Sequence, residues 1–89
     1  MKGSSFAAPR SVIMEKRLSS LEAGQKGTIV SIQDDELVLK LMEMGFTPGE
    51  DVVVEQIAPL GDPISVMIAG YQVSLRISEA EAVIVEFIS

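Results

Sequence analysis

The sequence contains no cysteine, no histidine and no tryptophan in its 89 residues. Without cysteine it forms neither disulfides nor zinc–thiolate centres, and without histidine it lacks the usual acid/base and imidazole metal ligand at neutral pH. Nucleophilic catalysis would then require a Ser–Lys pair or a pair of carboxylates, and no such constellation stands out. We therefore expect a protein that is not an enzyme and that carries no cofactor.

Long apolar runs and an excess of positive charge are also missing. No apolar run is long enough for a membrane span, and the first residues lack the continuous apolar stretch of a signal peptide. The formal net charge of −6 argues against general nucleic-acid binding, which needs cationic groups to displace counterions from phosphates. These absences predict a cytoplasmic protein that binds no nucleic acid.

Positive charge is concentrated in the first residues of the chain. Residues 1–16 show no periodicity and include Gly3, Ser4, Ser5 and Pro9, so we expect a flexible tail that precedes a single domain at 17–89. An alternative is an arm that grips an anionic partner or a lipid surface through Lys2 and Arg10.

A short amphipathic helix is predicted after Asp34. Asp34 or Asp35 is a suitable N-cap, and apolar residues follow at helical spacing: Leu37, Leu41 and Met44. Gly45 stands where a helix favours a left-handed residue, and Phe46 is expected to fold back onto the last helical turn. A turn through Thr47, Pro48 and Gly49 then leads into strands.

The rest of the sequence is typical of β-strands. Apolar and polar residues alternate with a period of two from Glu50 onward, and Val52 and Val54 share one face. Predicted strands cover residues 28–33, 50–57, 64–69, 72–76 and 83–88, with a loop at 58–63. About five strands and one helix inserted after the first strand predict an all-β fold, a small closed barrel, because closure protects the sheet edges.

Two local details refine this prediction. Gly70 and Tyr71 are predicted to form a two-residue hairpin turn, which pairs Ile68 with Val73 and places Met67 on the face opposite the core. Ser78 is predicted to cap a short helical turn, with Glu81 completing a capping box.

The acidic clusters and Arg76 allow other chemistry. Carboxylates at 34–36, 50–51 and 79–81 are explained as cap, turn and capping box, although they also leave open a hard-cation site.

Arg76 is either a solvated strand residue or an arginine finger for a partner's nucleotide. The mean hydropathy of +0.35 is high for a small acidic domain and indicates an apolar partner surface, or ordinary scattered exposure.

Several motifs recur in an order that resembles the ferrous-iron transport protein A (FeoA) family. They are Leu18-x-x-Leu21-x-x-Gly24-x-x-Gly27, Leu41-x-x-Met44-Gly45-Phe46-x-Pro48-Gly49, Ala58-Pro59-Leu60-Gly61-Asp62-Pro63, and Gly70 with Val73-x-Leu75-Arg76 and Glu79-Ala80. The resemblance covers residues 18–88. It implies an SH3-like barrel and a non-catalytic cytoplasmic accessory of the ferrous-iron transporter FeoB, which it would meet at FeoB's cytoplasmic region.

The resemblance also directs attention to a partner-binding face. The residues expected there are Gly45, Phe46, Leu60, Gly61, Asp62, Pro63 and Met67, with Met67 open as either partner surface or contact in a weak homo-oligomer. An alternative function is a metal-responsive module that binds ferrous iron through carboxylates, as the same domain occurs in metal-dependent repressors.

Overall fold

One curled antiparallel sheet with two short helices forms the part of the chain that the computed structural model describes, residues 13–88. The strands are β1 (Ile13–Arg17), β2 (Lys26–Ile32), β3 (Asp51–Ile57), β4 (Ile64–Ile68), β5 (Tyr71–Leu75) and β6 (Val83–Ile88). The helices are α1 (Asp35–Glu43) and α2 (Ile77–Ala80), and a 3-10 turn covers Leu18–Ser20. The strand order is β1-β6-β2-β3-β4-β5, so the mainly-β prediction is confirmed.

Strand β1 was not predicted. Its residues 13–16 were assigned to the tail, and this part of the assignment is wrong, because they pair with β6 in a register that sets Ile13 against Ile88. The amino group of Lys16 lies 5.0 Å from the centre of the Phe87 ring, and the Arg17 Nη1 donates to the carbonyl of Glu81 at 2.6 Å. Pairing with β6 and the bond to Glu81 at the end of α2, rather than apolar periodicity, therefore hold β1 in place. Residues 1–12 of the predicted tail lie outside the described residues.

The inner face of the sheet carries the core. Alternate residues of the central strands are buried, as period-two alternation requires: Ile29, Val52, Val54, Ile64, Val66, Ile68, Val83 and Val85. Leu41 from α1 and Phe46 just after it lie against these residues and are completely buried. The helix thus covers the open side of the curled sheet, as predicted.

Helix α1 begins and ends where its sequence predicts. The Asp34 carboxylate accepts from the Glu36 amide at 2.9 Å, which satisfies one of the free donors of the first turn. At the other end Gly45 has φ +104°, and the Phe46 amide donates to the Leu41 carbonyl at 2.9 Å. This left-handed ending turns the chain sharply, and it carries Phe46 into the core.

The β4–β5 hairpin differs from its predicted register. The turn is Ala69–Gly70, so Ile68 pairs with Tyr71 and Val66 with Val73. Both turn residues have positive φ, 51° and 84°, as a type I′ turn requires, and this geometry matches the twist of the strands. The predicted register is wrong by two residues, but a shift of two keeps every side chain on its predicted face.

Helix α2 also begins earlier than predicted. Its N-cap is Arg76 rather than Ser78, and the Glu79 Oε1 accepts from the Arg76 amide at 2.9 Å. The side chain of Glu79 therefore takes the role that was assigned to Glu81. The shift places Ile77 against the core and leaves Ser78 exposed.

Glu79 joins the two helices. Its Oε2 accepts from the Lys40 ammonium at 2.5 Å, and its side chain is only 10% exposed. The hydrogen bond from Lys40, followed by that from the Arg76 amide, lowers the pKa of Glu79 from its ordinary value of 4.5 despite the opposing effect of burial. The charged carboxylate is therefore the form that holds α2 against α1.

We expect Ala69→Gly to raise the free energy of unfolding by about 1 kcal/mol, because a left-handed conformation costs an L-residue roughly 1–2 kcal/mol and costs glycine little. Chemical denaturation measures this change. Ala23→Gly is the matched control, because Ala23 lies in an exposed turn and Ala69 is the non-glycine residue with positive φ among residues 13–88. The control is expected to lose stability, because glycine loses more conformational freedom on folding than alanine. If Ala69→Gly also lowers the free energy of unfolding, Ala69 is not strained by its positive φ.

We expect Glu79→Gln to lower the free energy of unfolding at neutral pH by about 1.5–3 kcal/mol, the usual range for a hydrogen bond to a charged group. Because the pKa of Glu79 is lowered in the folded state, its contribution is complete above 4.5 and is lost as the pH falls further. The stability of the variant should therefore depend less on pH in the acid range. Glu81→Gln, at an exposed position beside it, is the control, and equal pH profiles for both variants would contradict this role.

Candidate partner-binding site

The loop between β3 and β4 displays the most exposed large apolar side chain of the described residues. Leu60 is 96% exposed at the loop's tip. The Gly61 amide donates to the Ala58 carbonyl at 2.7 Å, and the Ala58 amide donates to the Pro63 carbonyl at 3.1 Å. The loop is thus closed by its own backbone, and Leu60 is held away from the core.

Asp62 fastens this loop to the rest of the molecule. Its Oδ1 accepts from the Ile77 amide at 2.9 Å, which satisfies a free donor in the first turn of α2. The sequence analysis assigned Asp62 to a partner, but its carboxylate already has this internal role. The bond joins the loop to α2, and Glu79 joins α2 to α1, so the three segments form one connected unit.

Phe46 is not part of any surface. It is 0% exposed and belongs to the core, so its assignment to the partner-binding face is corrected. The reason is the backbone turn at Gly45, which directs the following side chain inward. Gly45 itself remains partly accessible, and a Cβ built on it would lie 3.5 Å from the Cβ of Ala69 in the hairpin turn.

Met67 lies apart from the loop. It is 36% exposed on the outer face of the sheet, where it pairs with Val53 on one side and Gln72 on the other. Leu60 precedes the first residue of β4, whereas Met67 is close to the last. The predicted site residues therefore divide into a loop group at 60–63 and an outer-face residue, Met67, whose orientation agrees with the prediction.

A cleft beside the loop was not predicted. It has a volume of about 570 Å³ and lies between α1, the loop, the end of β5 and α2. Its lining residues are Lys40, Met44, Asp62, Pro63, Ser74, Leu75, Arg76 and Glu79. No sequence pattern could identify it, because its walls come from four segments that meet only in the folded chain.

The cleft is lined by two cationic and two anionic side chains, beside a smaller apolar part. Arg76 and Lys40 supply positive charge, although Lys40 is shared with the buried Glu79 carboxylate. Met44 and Pro63 supply accessible apolar surface, whereas Leu75 is completely buried beneath it. Asp62 and Glu79 already accept hydrogen bonds from Ile77 and Lys40, so Arg76 is the charged side chain of the lining best placed to meet an acidic residue of a partner.

Acidic side chains do not gather into a ligand set. Among residues 13–88, no three carboxylates or other potential ligands lie close enough together to hold a metal ion. Within the same residues, no helix has the length and apolar character needed to cross a bilayer.

Comparison with known proteins reveals relatives along nearly the whole described chain. The family model described as the FeoA domain matches residues 16–87. A protein of Porphyromonas gingivalis that fuses Fe(2+) transport protein A to the Fe(2+) transporter FeoB is 42% identical over 74 residues, which is 82% of this chain. This chain spans only 9% of the length of that fusion protein.

Two solved structures agree with the sequence relatives. Iron(II) transport protein A of Clostridium thermocellum is 42% identical with a TM-score of 0.75, covering 80% of this chain and 44% of that one. FeoA of Stenotrophomonas maltophilia, solved with zinc and described as a prokaryotic SH3 domain protein, is 36% identical with a TM-score of 0.68, covering 76% and 86%. The curled sheet is thus an SH3-like fold, and the chain belongs to the FeoA family of ferrous-iron transport proteins.

Proposed function

We propose that the protein is a non-catalytic cytoplasmic adaptor of ferrous-iron uptake that binds the cytoplasmic region of the transporter FeoB. The fusion in Porphyromonas gingivalis supports this, because one polypeptide there holds both modules. A covalent link gives two modules a high effective concentration for each other, which is useful where they act together.

The observation that carries the proposal is the exposure of Leu60 on a fixed loop. A large apolar side chain that is 96% exposed is costly to leave in water, and it gains most by entering a pocket on a partner. Internal hydrogen bonds of the loop and the bond from Asp62 to α2 hold the loop in one conformation. Binding then costs little ordering entropy, which is the advantage of a preorganised contact.

The neighbouring cleft extends this contact surface. Pro63 and Asp62 belong to both the loop and the cleft wall, so a partner that covers Leu60 and extends along the loop meets the cleft that Arg76 lines. In a chain of net charge −6, a local arginine favours an acidic residue on the partner and helps to set its orientation. The contact face therefore consists of residues 60–63 together with Arg76.

The adaptor acts by shifting a population. A bound protein changes the transporter only if it binds one conformation more tightly than another. Because the contact is small and preorganised, that preference depends on whether the transporter presents a pocket for Leu60. The resemblance to the FeoA family implies that FeoB has a GTPase domain, so the nucleotide state of that domain is the natural variable to compare.

We expect Leu60→Asp to weaken binding to the isolated cytoplasmic region of FeoB at least about tenfold, because it places an unpaired charge where an apolar side chain is buried. Titration calorimetry and amide chemical shifts of this protein, with and without guanine nucleotide on FeoB, measure the change. Shifts in the parent protein should centre on residues 60–63 and Arg76.

Leu39→Asp is the matched control for this experiment. Leu39 is 70% exposed on α1, so the same substitution changes charge and hydropathy equally at a different surface. Binding by the control should stay within about twofold of the parent protein. Equal affinities for both variants and the parent would disprove the Leu60 contact, and shifts at other residues would relocate the binding face.

A further inference from the structure

Strand β5 is an edge of the sheet. Its one strand neighbour among residues 13–88 is β4, while the other edge is β1. The five residues of β5, Tyr71 to Leu75, include no charge and no proline. Natural edge strands usually carry a lysine, a proline or a bulge that prevents pairing with another chain, and β5 has none of these protections.

The register shows which backbone groups face outward. Ile68 and Tyr71 close the two-residue turn, so they form a hydrogen-bonded pair, and such pairs alternate along an antiparallel ladder. The backbone groups of Tyr71, Val73 and Leu75 therefore point toward β4. Those of Gln72 and Ser74 point away from the sheet, and each presents one donor and one acceptor.

The side chains of β5 are sorted by the two faces of the sheet. Val73 lies on the core face and is only half-buried, because the core ends at this edge, and Tyr71 on the same face is 71% exposed. Gln72 and Ser74 lie on the outer face, and the Gln72 amide donates to Ser65 at 3.0 Å. The edge strand therefore presents apolar side chains on the core face of the sheet and polar side chains on the outer face.

The distribution of charged residues along the chain indicates which kind of partner can approach the β5 edge. From Pro63 to Ser78 the one charged residue is Arg76, although the chain as a whole has a net charge of −6. If two copies met through most other surfaces, their carboxylates would come close together. A contact between two β4–β5 hairpins brings no carboxylates together. A second copy can therefore approach here without repulsion between acids.

We propose that β5 pairs in antiparallel orientation with β5 of a second copy, about a two-fold axis that passes beside Val73. In this register Gln72 exchanges both hydrogen bonds with Ser74 of the second copy, so every outward backbone group of the strand is satisfied. Tyr71 lies opposite Leu75 of the second copy, and Val73 lies opposite its equivalent. The half-buried Val73 then meets its equivalent, the exposed Tyr71 covers the edge beside the already buried Leu75, and polar side chains meet polar ones, as an isologous contact requires.

The contact is small, so we expect association that depends on concentration rather than a permanent dimer. It uses the edge of the sheet and does not involve Leu60, although Ser74 and Leu75 also line the cleft. Its test therefore needs no transporter, and its failure would leave the proposed function unaffected.

Two measurements on the full chain test the pairing, both made from about 10 μM to about 1 mM, where small interfaces associate. Sedimentation should show the mean mass rising toward that of a dimer. Amide hydrogen exchange should show Gln72 and Ser74 becoming protected as concentration rises, while Tyr71, Val73 and Leu75 are protected throughout. A constant mass, or Gln72 and Ser74 amides protected equally at all concentrations, would overturn the proposal.

Ser74→Pro removes the outward donor without removing a bond to β4, since the Ser74 amide points away from that strand. We expect it to weaken association about tenfold or more. Ser74→Ala is the control, because it keeps the amide and should associate like the parent chain. Dimers that form equally well with Ser74→Pro would show that another surface pairs, and would overturn the proposal.

A charge pair gives a second test that does not depend on proline. Gln72→Lys/Ser74→Lys and Gln72→Glu/Ser74→Glu each set like charges opposite one another across the axis, so each alone should remain monomeric. Mixing the two variants sets lysine opposite glutamate and should restore association. A mixture that stays monomeric while the parent chain dimerises would contradict the register.

Discussion

The apolar inner face of the sheet is the constraint on which the rest of the molecule depends. The buried residues of the central strands are stable only if something covers the open side of the curl. Leu41 and Phe46 provide that cover, and the left-handed ending at Gly45 allows both to come from one short segment. Once α1 is fixed there, Lys40 on its flank is in position to bind Glu79, and α2 and the loop after β3 follow from that bond.

Much of the fold could be predicted from local pattern. Alternation identified the inner faces of β3 and β4, and Asp34 and Gly45 identified the ends of α1. Strand β1 could not be predicted, because its order comes from pairing with β6 and from Arg17 and Lys16, not from its own periodicity. The hairpin register was wrong because Ala69 adopts a conformation that sequence rules assign to glycine or asparagine.

The candidate site was predicted less completely than the fold. Two prolines and a glycine around Leu60 indicate an exposed loop, and Leu60 is exposed. Phe46 was misplaced because a large apolar residue after a helix-ending glycine has the same sequence pattern whether it covers the core or faces a partner. Arg76, Lys40 and Glu79 lie in separate segments, and their meeting around one cleft depends on tertiary contacts that no spacing encodes.

The pairing of Ile13 with Ile88 brings both ends of the described chain to one corner. That corner is at the opposite side of the strand order from β5. A linker attached before β1 or after β6 would therefore leave the domain from nearly the same point. Two fused modules can then be joined in either order along a polypeptide, and the linker still leaves this domain at the same corner. The same proximity favours circular permutation, because a short linker is enough to connect Ile13 to Ile88. The new termini could be placed in an exposed turn such as the one at Ala23.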